Sequence, residues 1–226
     1  MDLPNGIVSA AARSGSNGAV TFEFWATASE IHTWQRFGDF GSSNSGEDTS
    51  DSGDASDYVY ITPNSGLFND GLHITNHPAN NAGEPGVGQP GPFPTGVETQ
   101  VVAVYDHNDT SAGANGTMTL YRDGQFIGTK ELHPDFSLRT LNDVNNWLGR
   151  SQWPDPVFDG SFNEFRIYDA ALTAGQIALL FRNGPDGPIA VPEPGTVWLL
   201  LVVGMVVAAL GCAPAERAMR ARSTSG

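Results

Sequence analysis

The chain has one cysteine in 226 residues, Cys212, and it lies in the C-terminal tail. No disulfide can staple the part before it, so the fold must rest on an apolar core, which about 190 residues can supply. Basic residues are also scarce: 11 Lys and Arg stand against 25 Asp and Glu, for a formal charge of −14. With Arg217, Arg220, Arg222, Glu193 and Glu216 of the tail set aside, the rest stays at about −15. A field of that sign repels nucleic acid and anionic lipid headgroups, and suits calcium or neutral glycans. The five histidines, His32, His73, His77, His107 and His133, have no zinc-ligand spacing. A Ser/His/Asp order, a Gly-rich phosphate loop and a nucleic-acid motif are also missing. Met1-Asp2-Leu3-Pro4-Asn5 has neither the basic start nor the apolar core of an export signal, and we expect the natural chain to begin earlier.

What is present first is period-two patterning. Residues 19–27 and 99–105 alternate, as do residues 115–122, which run into Asp123-Gly124 and then 125–129. Asp-Gly between two strands predicts a type I′ hairpin, because both central residues need positive φ. Shorter strands are predicted at 35–40, 58–62, 72–75, 146–149 and 161–169. Many short strands with Gly, Pro and Asn turns indicate an all-β antiparallel sandwich. One helix stands out: Thr173-Ala174-Gly175-Gln176 is a capping box, Leu172 and Ile177 can form its hydrophobic staple, and Asn183-Gly184-Pro185 ends it.

The tail has a different order of parts. Pro192-Glu193-Pro194 precedes an uncharged apolar run, 197–213, and then Arg217, Arg220 and Arg222. At about 1.5 Å per residue the run spans about 25 Å, and the uncharged stretch 195–215 about 31 Å, close to the ~30 Å core of a bilayer. Trp198 suits the interface, and the arginines hold their end in the cytoplasm, so the preceding domain faces outward.

Two resemblances follow from these residues. The tail resembles the PEP-CTERM sorting signal of Gram-negative bacteria, which implies recognition and cleavage by an exosortase and delivery to the cell surface or extracellular matrix. The domain is similar to LamG-like jelly rolls of the concanavalin A-like lectin/glucanase superfamily. The residues that carry this are Thr21–Trp25, Phe37-Gly38-Asp39-Phe40-Gly41, Leu120-Tyr121-Arg122-Asp123-Gly124, Trp147-Leu148-Gly149-Arg150 and Phe158-Asp159-Gly160 through Arg166-Ile167-Tyr168-Asp169. This resemblance implies two curved antiparallel sheets and often glycan or protein binding with calcium nearby. Family domains usually start one strand before Leu3. The organisation read from the chain is a LamG-like domain at 1–184, a linker at 185–191, and a sorting signal at 192–222 with a transmembrane helix at 196–215. A short tail follows at 223–226.

Glucanases in the superfamily make catalysis a question. Retaining glycosidases need two carboxyl groups about 5–5.5 Å apart, and no Glu-x-Asp-x-Glu run supplies them on one strand face. Glu164 and Asp169 fall on opposite faces, Glu23 is alone, and Glu164 with Arg166 reads as a structural same-face pair. We expect no enzyme, with a divergent glycoside hydrolase as the alternative. Calcium, the one cofactor considered, would use Asp159 first, with Asp155 and Asn163; turn chemistry explains the same Asp-Gly equally well. The acidic run 47–57 lacks EF-hand spacing and reads as a solvated insertion, and 76–95 reads as a long polar loop. For glycan binding, Trp153 is the first aromatic platform, and Trp34 the second with His73 and Asn76 as polar partners. Trp25 and Trp147 read as core. The expected function is binding of extracellular carbohydrate or a matrix component at the surface of a Gram-negative bacterium. A structural matrix protein without a specific ligand is the competing reading.

Overall fold

The computed structural model describes residues 1–15, 18–51, 53, 56–79 and 83–187. In chain order they form β1 (Asp2–Leu3), α1 (Ile7–Arg13), β2 (Ala19–Glu30), β3 (Gly38–Ser42), β4 (Asp57–Thr62), β5 (Leu72–His77), β6 (Gly86–Gln89) and β7 (Thr99–Asp106). These are followed by β8 (Thr117–Arg122), β9 (Gln125–Glu131), β10 (Asn145–Leu148), β11 (Asp159–Tyr168) and α2 (Ala174–Asn183). The described strands make two antiparallel sheets, one of order β1-β10-β3-β4-β5-β6 and one of order β11-β2-β7-β8-β9.

The alternation along each strand sets the layers. Phe22, Phe24, Ala26 and Ala28 of β2 face inward with Val101, Ala103 and Tyr105 of β7, and meet Phe40, Val59, Ile61 and Ile74 of the other sheet. Phe22 stacks on Phe40 at 4.6 Å between ring centres, and the Tyr105 hydroxyl donates to the Thr75 carbonyl at 2.8 Å across the sandwich. The β8–β9 hairpin turns at Asp123 (φ 50) and Gly124 (φ 71), both left-handed as a type I′ turn requires.

The capping box is present: Thr173 Oγ1 accepts from the Gln176 N–H, and the Gln176 side chain accepts from the Thr173 N–H. The helix it starts buries Ile177 and Leu180, and its Phe181 ring stacks on Trp25 at 5.9 Å. Trp25 is therefore buried on the outward face of the five-stranded sheet, under α2, rather than between the sheets. Trp147 likewise faces away from the core, buried beneath the Arg150 guanidinium, 3.8 Å from its ring.

Three elements depart from expectation. The 76–95 segment contains β6, which pairs with β5 from Leu72↔Gln89 to Thr75↔Gly86. Helix α1 appears before the sheet, its Val8 and Ser9 N–H groups capped by the Asp143 carboxylate at 2.8 and 3.2 Å. The described acidic insertion is solvent-exposed as expected at residues 47–49 and 51, but it is also tied down, with Ser50 donating to the Ser151 carbonyl and the Asp48 N–H donating to Asn145 Oδ1. Among the described residues no helix is long and apolar enough to cross a membrane. Pro192, Glu193, Pro194, the apolar run and Arg217, Arg220 and Arg222 lie outside the described residues.

Candidate functional site

Strand β4 places Val59 and Ile61 in the core, which turns Tyr58 and Tyr60 to the opposite face of the six-stranded sheet. Both tyrosines are nevertheless buried, because loops cover them. The loop before β3 supplies Trp34 and Arg36, the loop after β10 supplies Trp153 and Asp155, and the segment before β6 supplies Glu84. Together these seven side chains line a cavity of about 250 Å³. Trp153 is 38% exposed, and its indole N–H donates to the Tyr58 hydroxyl at 2.9 Å. Trp34 sits in a left-handed conformation, φ 69, which few non-glycine residues adopt. Its N–H donates to the Asn64 carbonyl at 2.7 Å, and its own carbonyl accepts from Arg36.

Arg36 organises the floor. Its side chain is 2% exposed; Nε lies 3.4 Å from Asp39 Oδ2 and Nη2 lies 3.2 Å from Asp155 Oδ2. The guanidinium lies 3.9 Å from the centre of the Tyr60 ring, a cation–π contact. Asp39 Oδ2 also accepts from the Gln152 N–H at 2.9 Å, while Asp39 Oδ1 has no hydrogen-bond partner. Burial pushes the Asp39 carboxyl up to about 7 against the opposing pull of Arg36. Burial also raises the phenols of Tyr58 and Tyr60. Residue 84 as a whole is exposed, yet its carboxyl end sits beside the Tyr60 hydroxyl, where partial burial raises it from its ordinary value.

The two tryptophans expected to bind are thus brought into one pocket. His73 lies beside it on the same sheet face, its ring edge-on to Tyr60 at 5.7 Å and its Nε2 without a hydrogen-bond partner. Burial, reinforced by Arg36, lowers the imidazole to about 4. Asn76 does not join them. On β5 it shares the inward face with Ile74, is fully buried, and accepts from the His133 N–H at 2.9 Å, so it bridges the sheets instead of meeting a ligand. Arg36, Tyr58, Tyr60 and Glu84 were not among the sequence candidates.

The three residues expected to bind calcium turn to different partners. Asp155 holds Arg36 and accepts from Ser151 Oγ at 2.8 Å, and Asn163 donates to Glu98 at 2.8 Å. Asp159 gathers instead with Glu30, its cross-strand neighbour at a bulge, and with His32, their ligand atoms all within 4.8 Å of one another. An imidazole with two carboxylates is a softer donor set than the all-oxygen shell calcium prefers. As a calcium site, Asp155, Asp159 and Asn163 therefore do not fit.

Glu23 is buried on the outward face of the other sheet. Its Oε1 accepts from Trp25 at 3.0 Å and Gln100 at 2.7 Å, and its Oε2 from Tyr168 at 2.7 Å and Arg166 at 3.2 Å. The expected Glu164–Arg166 pair is present at 3.6 Å.

Several solved structures share this fold. The CBM40 of Ruminococcus gnavus IT-sialidase bound to α2,3-sialyllactose is 14% identical, with a TM-score of 0.55 over 72% of this chain and 82% of that one. Domain 4 of AbnA, a GH43 extracellular arabinanase from Geobacillus stearothermophilus in complex with arabinotriose, is 20% identical, with a TM-score of 0.54 over 78% and 69%. The heptameric SAP-like pentraxin of Limulus polyphemus is 15% identical, with a TM-score of 0.51 over 76% and 74%. No curated protein sequence matches significantly. Residues 5–178 match the Laminin_G_3 family, and with its two-sheet sandwich the chain belongs to the concanavalin A-like lectin/glucanases superfamily.

Proposed function

We propose that the protein is a non-catalytic carbohydrate-binding module working outside the cell, with its binding site in the Trp34–Trp153 pocket. The observation that carries this reading is the cavity itself: a half-exposed indole beside a second indole, walled by tyrosines and edged by carboxylates. Apolar sugar faces pack on indole rings, and carboxylates accept from sugar hydroxyls. The likeness to modules named in complex with sialyllactose and arabinotriose supports the same reading. For the tail, the reading is exosortase recognition at Pro192-Glu193-Pro194, transient anchoring by a membrane helix at 196–215, and release to the surface or matrix of a Gram-negative bacterium.

A glycan array with the full chain, in the presence and absence of chelator, tests the binding role. The expected outcome is binding that survives the chelator and weakens by about tenfold or more in Trp153→Ala, the scale of an aromatic hot spot, with the circular dichroism spectrum unchanged. No binding under either condition would leave the structural matrix protein as the better reading.

One observation favours a second reading, a divergent glycoside hydrolase. The pocket is lined by two carboxyl groups, Glu84 and Asp155, the residue type that a glycosidase uses as its pair. Turnover of a bound glycan, lost in Glu84→Gln with binding intact, would establish it. Binding without turnover keeps the lectin reading.

A further inference from the structure

The lining of the pocket carries a charge pattern that selects among sugars. Arg36 is the one cation among its described lining residues, and neither of its terminal nitrogens is free, while Nε is buried without a hydrogen-bond partner, out of a ligand's reach. Nη1 donates to the Trp34 carbonyl, Nη2 faces Asp155 and Nε faces Asp39, while the flat face lies on Tyr60. An arginine recognises a ligand carboxylate by presenting two parallel N–H groups, and Arg36 has no such pair to offer. Arg150, the next arginine along the same face, is also committed: it packs on Trp147 and donates to the Asp48 carbonyl and to Ser50 Oγ. Besides Arg36, the cavity is lined by two indoles, the Tyr58 and Tyr60 rings, and the carboxyls of Glu84 and Asp155, the latter with Oδ2 already held by Arg36 and Ser151.

We infer that the pocket takes a single uncharged sugar ring and rejects the carboxylated counterpart of that ring, an inference that rests on the carbohydrate reading above. The indoles take the C–H faces of the ring, and the two carboxyls accept from its hydroxyls. A uronate or sialate brings a negative charge towards Glu84 and Asp155 with no free guanidinium edge to receive it, a like-charge juxtaposition that costs affinity. The cavity of about 250 Å³ lies below the range of roughly 300–1,000 Å³ that holds drug-sized ligands, so one ring fits and a longer segment must extend outside. The charge logic separates this chain from its structural neighbour named with sialyllactose despite the common fold.

Isothermal titration of the full chain tests this, in a polyoxyethylene detergent so that no glycoside headgroup competes. The probes are matched methyl glycosides and methyl uronides of glucose, galactose and mannose, together with sialyllactose. The expected result is that the neutral member of a recognised pair binds at least about tenfold tighter than its uronide and that sialyllactose does not bind. Asp155→Asn, which frees Nη2 of Arg36, narrows that ratio. Glu84→Gln narrows it by removing charge without touching Arg36, so it remains informative if the first variant does not fold. A uronide or sialyllactose that binds as tightly as the neutral sugar overturns the inference and leaves the carbohydrate reading standing. A ratio unchanged in both folded variants overturns the charge explanation. Silence towards every probe overturns both the inference and the carbohydrate reading.

Discussion

Each sheet of the sandwich carries one fully buried carboxylate on its outward face, and the two are treated differently. Glu23, on the five-stranded sheet, has two donors on each oxygen, with α2 closing over the neighbouring Trp25. Asp39, on the six-stranded sheet, has all its contacts on Oδ2, while Oδ1 has no hydrogen-bond partner. Saturated polar groups rigidify a structure, and incompletely satisfied ones mark where a protein keeps capacity for something else. On the first face the carboxylate itself is saturated, although Nε of its partner Arg166 has no hydrogen-bond partner. The second is the foundation of a cavity, with Arg36 strung between Asp39 and Asp155 and aromatic rings around it.

Three experiments break or sharpen that contrast. The largest effect belongs to Glu23→Ala, which leaves Arg166, Trp25, Gln100 and Tyr168 without their common acceptor. Urea denaturation should register a loss of about 3–5 kcal/mol, the cost of orphaning a buried charge. A loss under about 1 kcal/mol, the scale of an exposed ion pair, would mean this carboxylate is not structural.

The next effect is one of pH. Burial raises Asp39 to about 7 from 3.8, so in the folded state it keeps its proton after the unfolded chain has released it. Its contribution to stability is full below about pH 4 and disappears as pH rises to 7, at roughly 1.4 kcal/mol for each unit of displacement. Asp39→Asn has no such proton, so its stability relative to wild type should climb between pH 4 and 7 and level off above. A difference flat in pH would show that Asp39 is ionised throughout. His73 acts in the opposite sense: lowered to about 4, it contributes stability above pH 6.5 that is lost as pH falls towards 4, and both proteins share that trend.

The smallest effect is Thr173→Ala, which removes the α2 cap and should cost about 1 kcal/mol. Hydrogen exchange should rise in α2 while glycan affinity holds, since α2 covers only the face of Glu23. A parallel fall in affinity would join two faces that the geometry keeps apart.

The parts of the fold legible in the sequence are those with local chemistry. Thr173 and Gln176 are three residues apart and satisfy each other, and Asp123-Gly124 carries its backbone requirement in two letters. Helix α1 was not legible because its cap, Asp143, lies more than a hundred residues away. Strand β6 was hidden by its glycines, which sheet pairing needs there: a Cβ at Gly88 would meet the Leu72 carbonyl at 2.6 Å and the Phe68 ring at 2.7 Å. The pocket was half legible. Trp34 and Trp153 stood out as loop aromatics, but their meeting depends on tertiary structure. Tyr58 and Tyr60 enter the sequence reading only as part of the strand at 58–62, with no role of their own. The available signal was their spacing of two, which puts both rings on one face. Asn76 was misjudged for the same reason, since its position on β5 has the inward phase of Ile74.

The pairing of β2 with β11, from Thr21↔Tyr168 to Glu30↔Asp159, has a kinetic consequence. Strand β2 is made early, yet one of its edges waits for a partner well over a hundred residues downstream. Fold topologies dominated by such distant pairings close slowly, on the scale of milliseconds to seconds. Until then the Phe22–Trp25 segment presents an aromatic, uncharged-rimmed edge to other chains, broken only by Glu23. A charge at that point in the edge, Glu23, is the kind of residue that disfavours strand-to-strand association before its four donors are in place.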